Sequence, residues 1–180
     1  MLNSAGMSTG HAKVATRARL RRGGIADIPV VQALADDIWR RHYPGIIARD
    51  QIEFMLAHGY SREALARFVT GADAGLELAD VDDRPVGFAA WYRVDDATTK
   101  LDKLYVLPEH HGAGVGRALI EQVAALAREQ GCTTLALNVN RNNAGAIRAY
   151  ERCGFAIESR GDFPIGGGFV MEDFIMVRAL

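Results

Sequence analysis

The stretch His110-His-Gly-Ala-Gly-Val-Gly-Arg-Ala-Leu-Ile120 decides how the rest of the 180-residue chain is read. Glycines alternate with other residues at 112, 114 and 116, which suits neither helix nor strand and leaves backbone amides uncovered. Before it, Leu101 to Pro108 reads as a strand ended by proline. After it, Val115, Leu119, Ile120, Val123, Leu126 and Ala127 recur at helical spacing, and Gly131 supplies a stop. The glycines therefore join a strand to the first turn of a helix. Unpaired amides and the positive end of the helix dipole favour an anion there, phosphate first. Two familiar phosphate loops do not fit. Gly116 is followed by Arg117 and Ala118 rather than Lys and Ser or Thr, and the last glycine interval is one residue short of Gly-x-Gly-x-x-Gly. A tight turn with no ligand is the plain alternative.

Working outward, Ala18 to Gly23 reads as a first strand. Asp27 can cap a helix with Pro29 in its first turn, carrying Ile28, Val31, Leu34, Ile38 and Trp39 inward until the turn at Tyr43-Pro44-Gly45. Helical segments follow over 50–56 and 61–69. A hairpin turns at Asp82-Asp83-Arg84, and a second turn at Asp95-Asp96 leads into the strand before the glycines. Thr133 to Asn140 is a strand, Asn143 to Arg152 a short helix stopped at Gly154, and the remainder a closing hairpin. Strands joined directly pair antiparallel, and the strand-helix-strand unit around the glycines pairs parallel, so the sheet is mixed.

Composition narrows the function. Apolar residues make up 49% and charged residues 24%, with a formal net charge of −1. This is an ordinary globular balance, and it gives no support to a nucleic-acid or membrane partner. Cys132 and Cys153 form neither a metal-like cluster nor a disulfide framework; they fit a reducing cytoplasm, and no metal is expected. No apolar run reaches membrane-spanning length, and the N-terminus lacks the basic-then-apolar pattern of a secretory leader. Residues 1–12 are small and polar and are expected to be disordered, leaving one domain over 13–180.

A second motif, Asn138 to Phe155, has an Asn-rich strand end and then a short helix ending in Tyr150-x-x-x-Gly154-Phe155. Read with the glycine turn, it resembles the GNAT family of acyl-CoA-dependent N-acetyltransferases. The resemblance covers the chain from about residue 14. It implies a mixed α/β fold with a central, mostly antiparallel, splayed sheet of about six or seven strands flanked by helices. It implies acetyl-CoA as cosubstrate, its pyrophosphate on the amides of His111, Gly112, Ala113, Gly114, Val115, Gly116 and Arg117. His111 stands where the family usually has Arg or Gln, so affinity is expected to be lower or pH-dependent, with Arg117 able to compensate.

The implied chemistry has three tasks. An alkylamine with a pKa near ~10.4 is protonated about 2,500-fold over at pH 7, a penalty of roughly 4–5 kcal/mol, so a base or a water chain must remove the proton. An oxyanion needs a donor, which the resemblance places on a backbone N–H of the strand segment Leu104, Tyr105 and Val106, with Val106 the matching position. The leaving sulfur takes a proton, for which Tyr150 matches the family's general acid. Asn143 matches the residue on the pantetheine arm, or is a helix N-cap, or both; Asn138 and Ala146 are further candidates for that arm. Asp102, taken by alternation to share a face with Leu104 and Val106, is the candidate base, beside Glu109 and His110.

For the acceptor, Trp39 and Tyr43 lie one helical turn apart, while Trp91 and Tyr92 face opposite ways on a strand. One of each pair could line a slot for an alkyl or polyamine chain; plain core packing is the alternative. Residues 38–56 and the last hairpin are loosely similar to the spermine/spermidine acetyltransferase-related members, with Glu172 and Asp173 able to meet a second amine. Alternatives are a protein or peptide N-terminus as acceptor and a non-catalytic acyl-CoA-binding module. A homodimer is expected by analogy alone.

Overall fold

The structure, a computed structural model, describes residues 18–180. The segment expected to be disordered lies outside them. Seven strands form one sheet in the order β1-β2-β3-β4-β5-β7-β6: β1 Arg19–Arg22, β2 Ala74–Val81, β3 Arg84–Arg93, β4 Thr98–Val106, β5 Thr134–Asn140, β6 Ala156–Gly166 and β7 Phe169–Ala179. Among the described strands, β4 and β5 alone pair parallel, with α4 (Val115–Glu129) between them in sequence. The other neighbours are antiparallel.

Alternation along the strands divides the core into two layers. Ala89, Leu101, Leu135, Leu137 and Met176 pack with Leu119, Ile120 and Val123 of α4. The short helix α5, Ala144–Arg152, rests against the same layer through Ile147 and Tyr150. Leu76, Leu78, Phe88 and Ala90 face the other way, under α1 (Ile28–His42), α2 (Arg49–Gly59) and α3 (Arg62–Thr70). Burying both faces makes the central strands near-continuous apolar runs, as in Gly87-Phe-Ala-Ala-Trp91.

Two local expectations are corrected. Asp27 precedes α1 but does not cap it. Its Oδ2 accepts from the Gly24 amide at 2.8 Å and its Oδ1 from Arg21 at 2.8 Å, closing the single 3-10 turn ahead of the helix. The alternation assumed along β4 is also interrupted. Ala90 pairs with Lys103 and Trp91 with Leu101, leaving Asp102 bulged out of the ladder. Asp102 turns toward Arg67 of α3, whereas Leu104 and Val106 join the layer under α4.

The β4–β5 ladder runs from Thr98↔Thr134 to Leu101↔Leu137 and stops. Both strands continue, to Val106 and Asn140, without pairing to each other. The sheet is thus opened into a V at its centre.

Candidate active site

The glycine turn closes one end of the V. A 3-10 turn at Pro108–His110 ends β4, and Gly112 and Gly114 take φ of 76° and 84°, a region other L-residues rarely adopt. The first intrahelical bond of α4 runs from the Ala118 amide to the Gly114 carbonyl at 2.9 Å. The amides of Val115, Gly116 and Arg117 come before it and have no backbone acceptor among the described residues. An ideal Cβ at Gly112 or Gly114 meets nothing within 4 Å, so the space above the turn is open. Converging free amides, a helix dipole and open space fit the pyrophosphate of coenzyme A.

The His111 ring lines the gap beside the turn, engaged with the strand rather than standing free to meet phosphate. Its Nε2 donates to the Val106 carbonyl at 2.8 Å, bracing the end of β4. Val106 itself ends β4, five residues beyond the last rung of the β4–β5 ladder at Leu101. The Leu107 amide donates to Val86 of β3 at 2.8 Å, so the Val106 amide, one residue back, points away from β3 into the gap.

A cavity of about 880 Å³ fills the gap and is lined from both faces of the sheet. From the α4/α5 face come Gly112, Gly114, Val115, Gly116, Arg117, Asn143, Ala146, Cys153 and Tyr150; Leu104 and Val106 form its β4 wall. Ala113 is not part of the wall, its amide being taken by the His110 carbonyl at 3.3 Å. Tyr150, half-buried and edge-on to Phe155, has its phenol pushed up to about 12 by burial, with Cys153 adding to the rise. It is a protonated donor throughout the neutral range. Asn143 serves two ends at once. Its Oδ1 accepts from the Ala146 amide at 3.3 Å, capping α5, and its Nδ2 donates to Nε2 of His42 at 3.0 Å.

From the opposite face come Trp39, Tyr43, Tyr60 and Tyr105. Trp39 stacks on Tyr43 with centroids 4.2 Å apart and donates to the Tyr60 hydroxyl at 2.9 Å; the hydroxyls of Tyr43 and Tyr105 are 3.3 Å apart. Burial raises the phenols of Tyr43, Tyr60 and Tyr105 well above their ordinary range, so this wall is aromatic and neutral. Tyr105, expected beside the cofactor, has its ring in this aromatic wall instead.

Trp91 and Tyr92 are not brought to the cavity. Trp91 is 2% exposed, lies under α4, and donates to the buried Glu77 at 3.3 Å. Tyr92 packs near Phe68 and the Arg67 guanidinium. The two side chains do face opposite ways, but both ways lead to packing.

Polar groups cross the floor of the V. Lys100 of β4 donates to Asn138 Oδ1, and Asn138 Nδ2 donates to Asp173 Oδ2 at 3.4 Å. Burial lowers the Lys100 ammonium and raises the Asp173 carboxyl from their ordinary values, with Asn138, Lys100 and Arg141 opposing the rise at Asp173. Glu172, the other acidic candidate, is exposed and 3.3 Å from Arg141. His42, Tyr60 and Lys100 line the cavity without having been singled out from the sequence. His42 closes the run Arg40-Arg41-His42, which reads as a solvated helix end.

The model of the Acetyltransferase (GNAT) family matches residues 31–155. The chain belongs to that family of acetyl-CoA-dependent N-acetyltransferases. It is 34% identical over 137 residues to an uncharacterized N-acetyltransferase of Mycobacterium tuberculosis, covering 76% of this chain and 87% of that one. It is 25% identical over 157 residues to the spermidine N(1)-acetyltransferase of Thermoplasma acidophilum, covering 85% and 94%. Its fold is similar to the crystal structure of the PaiA N-acetyltransferase of T. acidophilum in complex with coenzyme A, with a TM-score of 0.79, 24% identity and coverage of 91% and 99%.

Proposed function

We propose that this chain moves the acetyl group of acetyl-CoA directly onto the primary amine of a small molecule, an aliphatic amine or polyamine. The observation that carries this reading is one cavity holding the unpaired Val106 edge, the glycine-turn amides and Tyr150 on one side and an aromatic wall on the other. When bound, acetyl-CoA supplies an activated acyl carbon. The Val106 amide stabilises charge developing on the acetyl oxygen. Tyr150 hands its phenolic proton to the departing sulfur. Asn143 and Ala146 line the arm's path, and Trp39 and Tyr43 hold the acceptor's alkyl chain.

The small-amine class is supported by the likeness to a spermidine acetyltransferase over nearly the whole of that relative. A peptide acceptor needs an open groove between the last hairpin and the first helices. Here the hairpin is fastened to α2: Gln51 donates to the Val170 carbonyl at 3.0 Å, and Phe54 lies 5.3 Å from Phe169 between ring centroids.

The test is release of free thiol from acetyl-CoA by the purified protein, against polyamines, simple alkylamines, amino acids and Ala- or Ser-ended peptides. Amine-dependent release by alkylamines or polyamines is expected. Release with peptides alone would sink the small-amine reading, and acetyl-CoA binding without release from any amine would leave a binding module.

A further inference from the structure

The acceptor must shed a proton before it attacks, and two carboxylates line the cavity. Asp102 is spoken for: its Oδ2 lies 3.0 Å from Lys103 Nζ and 3.4 Å from Arg67. Both cations sit on the same oxygen, so this carboxylate is held in ion pairs with Lys103 and Arg67. Asp173 is placed differently. It pairs with Asn140, the end of β5 that borders the gap, and is 6% exposed. Asn138 holds its Oδ2, while Oδ1 is buried and has no hydrogen-bond donor among the described residues. The charged and titratable groups around it are Lys100 from β4, Arg141 beyond β5 and Tyr43 from α1. Lys100 is tied to Asn138, and Arg141 lies 2.6 Å from Asp162 and 3.3 Å from Glu172. A buried carboxylate with one empty oxygen calls for a donor.

We propose that Asp173 is the general base of the transfer, accepting the proton of the acceptor ammonium on Oδ1; this rests on the small-amine reading above. Asn138 is a positioning residue, which grips Oδ2 and leaves Oδ1 to the amine. The N–H bond breaks toward Asp173, and the freed lone pair forms the C–N bond to the acetyl carbon. The C–S bond breaks, and the sulfur leaves with the proton of Tyr150. The bonded nitrogen sheds its second N–H proton to solvent as the amide forms, Asp173 releases its own, and Tyr150 regains one, so one proton is released overall and no other reactant is required. The burial that raises the Asp173 carboxyl brings it closer in basicity to the amine it serves.

The experiment compares wild type with Asp173→Asn on the fastest of butylamine, spermidine and an Ala-ended tripeptide, from pH 7 to 9.5. At pH 7 kcat/KM of the variant is expected to be about 100-fold lower or more. The deficit shrinks by about tenfold per pH unit as solution deprotonates the amine. A deficit that stays constant with pH marks a counterion or a packing role and overturns the assignment, as does no deficit. Should the variant fail to fold, the wild-type profile decides: kcat/KM near-flat over pH 7–9 is expected, and a tenfold rise per unit overturns it. Wild type inactive with all three amines overturns the small-amine reading itself, and the base assignment with it.

Discussion

Asn143 of α5 donates to Nε2 of His42 of α1 at 3.0 Å, so one side chain joins helices on opposite faces of the sheet. A nitrogen that accepts carries no proton, so His42 is neutral in this arrangement. Burial, the largest influence, lowers its pKa; Asn143 opposes this and nearby His111 adds to it. Below the ordinary value of 6.5 the unfolded chain binds a proton that the folded site refuses. Stability attached to His42 is therefore whole above 6.5, falls as pH drops toward the folded value, and levels off beneath it. His42→Gln is expected to flatten that part of the stability-against-pH curve in urea titrations from pH 5 to 8. An unchanged slope would show that the histidine titrates as it does in the unfolded chain.

Gly112 and Gly114 carry positive φ, and nothing stands within 4 Å of a Cβ at either. Alanine at either position is expected to strain the backbone by about 1–2 kcal/mol without a clash. Relaxation of that strain would turn amides away from the phosphate, so calorimetry should show acetyl-CoA affinity falling while the melting temperature drops only modestly. Unchanged affinity in both variants would remove the turn from the binding site.

Tyr150→Phe keeps the ring against Phe155 and deletes the proton. Turnover is expected to fall by about 100-fold or more with acetyl-CoA affinity retained. Because the phenol sits at about 12, wild type should show no loss of activity from this group between pH 7 and 10. A full-rate phenylalanine variant would leave solvent as the proton donor.

The two aromatic pairs separate by place: Trp39 and Tyr43 line the cavity, and Trp91 and Tyr92 do not. Tyr43→Phe is expected to raise the acceptor's KM with little effect on acetyl-CoA affinity. Trp91→Ala empties a fully packed position and should cost about 3–5 kcal/mol in denaturant titrations. The more conservative Trp91→Phe should leave the acceptor's KM unmoved; a shift in KM there would return Trp91 to the site.

The strand, glycine turn and long helix were legible because each signal is local: a proline, alternating glycines and a helical period within thirty residues. The same holds for Asn143 as N-cap and for Tyr150 on its short helix. Misreadings arose where a single insertion or a distant partner decides. The bulge at Asp102 reverses its face and is invisible to strict alternation. Asp27 bonds Arg21 and Gly24 behind it rather than the helix ahead. His42 and Asn143 are 101 residues apart in sequence, and no spacing rule links them. Asp173 was visible as an acidic residue, but its burial and its free oxygen depend on packing contributed by β5 and α1.

The V between β4 and β5 passes through the sheet, with walls drawn from both layers. A cavity with a wall on each side of the sheet has room for both, so donor and acceptor need not take turns. Both reactants can occupy the protein together and react within a ternary complex, with no acetylated side chain as a waystation. Initial-rate plots at varied concentrations of each should then converge rather than run parallel, and Cys153, though it lines the same opening, should carry no acetyl group during turnover.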